Sequence, residues 1–202
     1  MQRGLALPTK LTIIALIISV TLLYSLYWHN KFSPMINQFD GDLILKTLPE
    51  FQVEEIQSKQ LMSKKDFINN EGRLTFIHFW GTWCGPCEAE LPPLLDMAKK
   101  FKNSDVQFVL IAVQDTAEKV TKYMKRFGTL PENIVLALDV NGDSMTKFGT
   151  VKVPESCVFN HQGTNLSKFI GPQSWEQTRY YDRLVFYHNS SKPLLNQKIE
   201  TH

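Results

Sequence analysis

Cys84-Gly85-Pro86-Cys87 lies at a seam between two kinds of periodicity. Before it, 74-LTFIHFW-80 is a β-rich run too apolar for a surface strand, which predicts a central strand buried on both faces. After it, 87-CEAELPPLLDMAKKF-101 carries Leu91, Leu94, Leu95, Ala98 and Phe101 at helical spacing. A strand that must be covered on both sides, running straight into an amphipathic helix, calls for helices layered on a sheet.

The rest of the chain repeats the alternation. The run 106-VQFVLIAV-113 predicts a second buried strand, 116-TAEKVTKYMKRF-127 a second helix and 134-IVLAL-138 a further strand. The segments 155-ESCVFN-160 and 166-LSKFI-170 predict a hairpin around Gln162-Gly163, and 174-SWEQTRYYDRLVFY-187 a closing helix with Ser174 as its N-cap. The order β-α-β-α-β-β-α places the chain in the α/β class, with a central mixed sheet flanked by helices. With 202 residues, 43% of them hydrophobic and 21% charged, there is material for one folded domain plus appendages. A net charge of +2, with Lys and Arg dispersed, argues against a nucleic-acid partner.

The appendage at the N-terminus is of a different character. Arg3 and Lys10 precede 11-LTIIALIISVTLLYSLYW-28, which has no charged residue and ends in Tyr24, Tyr27 and Trp28. As a helix it would span roughly 27 Å, close to the hydrocarbon thickness of a bilayer. A cleaved signal peptide is the competing reading, but its small-residue cleavage pattern is replaced here by the bulky 25-SLYWHN-30. Residues 1–30 are therefore expected to form a single N-terminal transmembrane helix, 31–45 a linker, 46–190 the folded domain and 191–202 a loosely ordered tail. The basic residues at the start put the domain outside an inner, cytoplasmic membrane, on the periplasmic or extracytoplasmic side, where disulfides persist.

In that compartment a Cys-x-x-Cys pair has chemistry available to it. A cysteine at a helix start meets unpaired backbone N–H groups, which favour the thiolate: from an ordinary value of about 8.5, such positions drop to roughly 3.5 to 7.5. Cys84 is expected to be the sulfur that exchanges with a partner, and Cys87, one turn further in, the one that resolves the mixed disulfide. The competing readings are an inert disulfide and half of a zinc site. The second needs another Cys or His pair at similar spacing, and Cys157, His29, His161, His188 and His202 provide none.

The string WCGPC with its upstream FW resembles the thioredoxin superfamily, and 79-FWGTWCGPCEAELP-92 is most similar to the membrane-anchored TlpA, ResA and CcmG-type thiol-disulfide oxidoreductases. Pro92 matches the superfamily's helix-kinking proline, and Val153-Pro154 the loop carrying its cis-proline. The segments 48-LPEF-51 and 171-GPQSW-175 match the branch's opening motif and final strand-to-helix turn. The resemblance covers roughly residues 46–190. It implies a thioredoxin fold and a protein-disulfide reductase with no bound cofactor. It also implies disulfide-containing protein substrates, apocytochrome c among them, and a membrane thiol electron donor.

The resemblance also supplies site residues. Glu90, three after Cys87, matches the acid of the anchored reductant branch, while His78 stands where thioredoxins carry a buried acid. Each has a plain alternative, Glu90 as a first-turn acid and His78 as a packed core histidine. Trp83, Val153, Pro154 and Glu155 are the expected substrate-binding residues; Glu155 reads equally as a loop-end charge. Cys157 falls in an apolar strand and reads as a small buried hydrophobe. Three rival functions use the same fold. A peroxidase wants a single peroxidatic cysteine in a T-x-x-C setting, and 82-TWC-84 has the wrong spacing. A copper-delivery module wants cysteines three apart and a distal histidine, and a non-catalytic interaction domain would tolerate loss of either cysteine.

Overall fold

A computed structural model of the chain describes residue 8 and residues 12–27, 45–68 and 72–191. The chain divides into two units, Met1–Ile44 and Leu45–His202. In the first, residues 12–27 are helical, and Thr21 Oγ1 donates back to the carbonyls of Ile17 and Ile18 at 3.0 and 2.9 Å. Its apolar side chains are exposed, Leu16 to 66% and Leu23 to 64%. Among the described residues no helix is long and apolar enough to cross a membrane. The ends of the expected span, Leu11 and Trp28, lie outside the described residues, as do the expected linker up to residue 44 and the tail after Ser191.

The second unit carries the sheet. Its elements are β1 (Gln52–Glu55), β2 (Leu61–Ser63), α1 (Lys64–Phe67), β3 (Leu74–Trp80), α2 (Gly85–Lys100), β4 (Val106–Val113) and α3 (Ala117–Met124). There follow a 3-10 turn (Lys125–Phe127), β5 (Ile134–Asp139), α4 (Asp143–Lys147), β6 (Glu155–Phe159), β7 (Asn165–Ile170) and α5 (Thr178–Ser191). The seven strands lie in the order β2-β1-β5-β4-β3-β6-β7. β3, β4 and β5 run parallel, and the outer strands pair antiparallel. The mixed sheet is the expected one, and every residue of β3 is buried.

Two successive right-handed crossovers stepping the same way along the sheet put α2 and α3 on one face. Phe76 and Trp80 of β3 pack there with Leu91, Leu94 and Leu95 of α2, Val120 and Met124 of α3, and Tyr180 and Leu184 of α5. The alternation of β3 sends Ile77 and Phe79 to the opposite face, against Phe51, Phe67 of α1 and Phe148. Phe148 meets Phe51, Phe79 and Phe159 edge-on at centroid distances of 5.1, 5.0 and 5.9 Å. Truncating so central a ring costs about 3–5 kcal/mol.

The folded chain departs from the sequence expectations where segments are short or locally ambiguous. β1, β2, α1 and α4 were not anticipated, because elements of four, three, four and five residues leave no periodicity to read. The helix expected over 116–127 stops at Met124 and tightens into the 3-10 turn before Gly128 at φ 73°. The closing helix begins at Thr178, so Ser174 is not its N-cap. Instead the Ser174 carbonyl accepts the Gln177 N–H at 3.0 Å in a preceding turn. That turn drives Trp175, 2% exposed, between Phe76, Phe169 and Tyr180. Burial of an indole outweighs one capping hydrogen bond.

Candidate active site

Cys84 and Cys87 are joined by a disulfide, with Cα atoms 5.3 Å apart. Cys84 is the N-cap of α2 and its sulfur accepts the Cys87 N–H at 3.3 Å. Gly85 and Pro86 fill the first turn, where a proline ring has no hydrogen bond to break. Cys84 keeps 6% of its surface open and Cys87 none, which orders the two sulfurs by access. Further along α2, Pro92 and Pro93 lack the N–H groups that the Glu88 and Ala89 carbonyls would otherwise accept.

The loop ahead of Cys84 is pinned to the end of β4. Trp83 Nε1–H donates to the Val113 carbonyl at 3.0 Å, and the Thr82 N–H donates to Asp115 Oδ2 at 2.8 Å. The indole lies so close over Gly81 that a Cβ there would come within 2.6 Å of Nε1, so no larger residue fits. Trp83 still shows 57% of its surface beside the cysteines, whereas Trp80 is buried against Tyr123.

His78 and Glu90 meet beneath the pair. His78 in β3 and Glu90 in α2 are 0% and 4% exposed, and Nε2 of one lies 3.5 Å from Oε1 of the other. That separation is longer than a formed hydrogen bond, and the Trp175 indole N–H also bears on the Glu90 carboxylate, opposing the effect of burial. Nδ1 of His78 lies 2.9 Å from Ser156 Oγ, and Glu90 Oε2 accepts the Gln173 N–H at 2.6 Å. Burial lowers the imidazole to about 3, so it stays neutral at ordinary pH. Burial likewise raises the Glu90 carboxyl to about 7, with the Gln173 N–H pulling the other way by less. Facing groups of this kind can hold or release a proton near neutrality. Glu90 shares a helix face with Cys87, three residues earlier.

The remaining expected residues separate across the sheet. The Val153-Pro154 bond is cis, and the Pro154 carbonyl accepts the Gly171 N–H at 3.0 Å. Val153 is half-buried between the two core layers. Glu155 does not present its carboxylate at the surface: it is 3% exposed, accepts a hydrogen bond from Thr150 Oγ1 and pairs with Lys168 Nζ at 2.8 Å. Alternation along β6 turns Glu155 away from the His78 side and Ser156 toward it. Cys157 is wholly buried, and that burial pushes its thiol up to about 12, which leaves it unreactive.

The model of the AhpC/TSA family matches residues 44–168, more than half of the chain. The chain belongs to the AhpC/TSA family. The chain is 29% identical over 136 residues to the thiol-disulfide oxidoreductase ResA of Bacillus thuringiensis subsp. konkukian, covering 67% of this chain and 75% of that one. To the ResA of Bacillus subtilis it is 26% identical over 137 residues, covering 68% and 73%. The solved structure of StoA from Bacillus subtilis superposes with a TM-score of 0.53 at 23% identity, over 68% of this chain and 99% of that one. The last likeness bears on the fold, which is that of thioredoxin. The AhpC/TSA match and the ResA relatives agree with the resemblance carried by WCGPC and its surroundings: a ResA/TlpA-type, thioredoxin-like thiol-disulfide oxidoreductase.

Four site residues escaped the reading of the sequence: Asp115, Ser156, Lys168 and Gln173. Asp115 had a signal, an acid two residues beyond a long buried strand. Ser156 and Lys168 would have needed the register of β6, and Gln173 acts through its backbone N–H, which its side chain does not announce.

Proposed function

We propose that the chain reduces disulfides of extracytoplasmic proteins, apocytochrome c among them, through a Cys84/Cys87 dithiol, and that residues 1–30 hold it at the outer face of a cytoplasmic membrane. The observation that carries the reading is the bonded pair at the N-terminus of α2, with Cys84 retaining 6% exposure and Cys87 fully closed to solvent. In the reduced form the Cys84 thiolate, favoured by the helix start, attacks a substrate disulfide; one substrate thiolate leaves and a mixed disulfide forms. Cys87 then loses its proton and attacks the Cys84 sulfur, releasing the second substrate thiolate. Two electrons have passed to the substrate, and the domain is left with the disulfide seen here. A membrane thiol donor must return those electrons.

Trp83, Val153 and Pro154 form the substrate-facing rim in this reading, and Glu90 with His78 receives the Cys87 proton. Glu155 enters indirectly, since its buried ion pair braces the strand that follows Pro154. The test is insulin reduction by a fragment beginning at about residue 30, with dithiothreitol as donor. Catalysis should be abolished by Cys84→Ser, and a wild-type fragment that left insulin unreduced would sink the reading. A copper titration run alongside separates the delivery-module alternative. Among the described residues no group of three or more His, Cys, Asp or Glu side chains could hold a metal ion.

A further inference from the structure

Ser156 holds the far end of His78. The β3–β6 register sets the two residues opposite each other, and both are buried, at 1% and 0% exposure. A row results, hydrogen-bonded at its two ends and in close approach at its middle: Ser156 Oγ at 2.9 Å from Nδ1, Nε2 at 3.5 Å from Glu90 Oε1, and Glu90 Oε2 accepting the Gln173 N–H at 2.6 Å.

The chemistry of the row follows from what each atom is able to be. A backbone N–H is a donor only, so Oε2 is committed to accepting, and a proton arriving on Glu90 belongs on Oε1. When Glu90 is a carboxylate, Oε1 faces Nε2 and calls for Nε2–H there, the Trp175 indole N–H being a second donor beside the same carboxylate. When Glu90 is protonated, Oε1–H needs an acceptor, which is a bare Nε2. A neutral imidazole carries one proton, so Nδ1 is bare in the first state and protonated in the second. The group facing Nδ1 must donate in one state and accept in the other. A hydroxyl does both, whereas a backbone carbonyl or N–H would fix a single tautomer.

We infer that Ser156 is a positioning residue that allows His78 to exchange tautomers as Glu90 gains or loses the proton of the resolving cysteine. The inference rests on the dithiol reading above. Protons balance: Cys87 loses one as its sulfur bonds to Cys84, and Glu90 Oε1 gains it. The imidazole holds one proton in each state, on Nε2 before and on Nδ1 after, one proton passing from Nε2 to water and one returning from water to Nδ1, and the Ser156 hydroxyl turns from donor to acceptor. Without that freedom, one protonation state of Glu90 would leave two buried polar atoms mismatched.

The groups around the row bring no competing charge onto it. α2 presents Glu90 and Cys87, β4 presents Leu110 in register with His78, and β6 presents Ser156. From α5, Tyr180 reaches the row through its hydroxyl bond to the Gln173 side chain at 2.7 Å. The guanidinium groups of Arg179 and Arg183 lie over the Tyr180 and Phe169 rings.

The test is nuclear magnetic resonance of the full chain in detergent micelles, its histidines labelled at the ring nitrogens and His78 assigned by its loss in His78→Asn. Spectra are taken with the cysteines oxidised and reduced, from about pH 5 to 9, the range over which histidine and raised carboxyls titrate. The expected result is an Nδ1–H tautomer at the acid end that converts to Nε2–H at the alkaline end. Ser156→Ala should hold one tautomer throughout and slow resolution of a trapped mixed disulfide about tenfold, less than the roughly 10²- to 10⁴-fold that proton-transfer catalysis contributes, because Glu90 itself is still present. Ser156→Thr, which keeps the hydroxyl, should restore both. A single unchanging tautomer in the wild type overturns the inference even if Ser156→Ala fails to fold, and so does a Ser156→Ala protein that behaves as wild type. Insulin reduction by the wild type reports separately on the dithiol reading.

Discussion

Lys168 Nζ lies 2.8 Å from Glu155 Oε1, with only 9% and 3% of the two side chains exposed. The same ammonium donates to the Phe148 carbonyl at 3.2 Å, and Glu155 also accepts from Thr150 Oγ1. One buried cluster thus joins the residues before the Val153-Pro154 loop to the strand after it. Removing one partner of a buried pair leaves an uncompensated charge and costs about 3–5 kcal/mol, whereas replacing both with apolar groups is often near neutral. Lys168→Met should lower the unfolding free energy from urea titration by that amount, and Lys168→Met combined with Glu155→Leu should recover most of it. A single variant as stable as wild type would show that the pair contributes nothing.

The order of the sulfurs predicts a trapping experiment. Cys87→Ser leaves the accessible sulfur without its resolving partner and should accumulate mixed disulfides, visible as adducts on non-reducing gels. Cys84→Ser should trap few. Cys157, with its thiol pushed up to about 12 by burial, carries almost no thiolate at neutral pH, so Cys157→Ser should keep wild-type turnover. Equal trapping by both site variants would contradict the assignment.

Stability should depend on pH through His78 and Glu90 in opposite directions. Glu90 titrates at about 7 when folded against an ordinary 4.5, so its contribution is fully present below pH 4.5 and is lost as pH rises through about 7. His78 titrates at about 3 against an ordinary 6.5, so its contribution is present above pH 6.5 and is lost as pH falls through about 3. Urea midpoints across this range should show Glu90→Gln flattening the alkaline decline and His78→Asn flattening the acid one. If neither variant changes its limb, the burial argument is wrong.

Reactivity gives an independent check on Glu90. A carboxylate near sulfur disfavours the thiolate. Glu90→Gln should therefore shift the alkylation profile of the reduced pair to lower pH, and it should also slow resolution of mixed disulfides. His78→Asn, close in size and hydrogen-bonding capacity, should have the smaller kinetic effect. Superimposable profiles in both variants would remove these residues from the proton path.

Anchoring is tested on membranes. Carbonate washing should leave the full chain in the pellet, and protease added to intact spheroplasts should digest the domain. Recovery of the full chain in the wash would exclude the anchor.

Long, strongly periodic segments were legible because burial imposes their pattern one residue at a time. The wholly buried β3, the amphipathic α2 and the cysteines at their junction needed no distant information, and neither did the hairpin, whose turn carries Gly163 at φ 78°. The closing helix shows where that reasoning stops. Ser174 is a good cap by its local chemistry, but the Trp175 ring is drawn into a pocket built by Phe76 and Phe169, and the helix starts later.

The sequence by itself determined the reactive pair, because helix starts and Cys-x-x-Cys spacing act over a few residues, and its family resemblance supplied the candidates His78 and Glu90. Tertiary structure alone decided what those candidates touch. His78 meets Ser156 across 78 positions of chain, and Glu90 meets Gln173 across 83. Glu155, one residue from Ser156, is turned to the other face of the sheet and into an ion pair. Such contacts depend on strand register and on which face of the sheet a helix covers, and a one-residue slip in β6 would exchange Ser156 for a neighbour of opposite facing. No local pattern encodes that choice; it is made when the two apolar layers pack and the polar atoms caught between them must find partners.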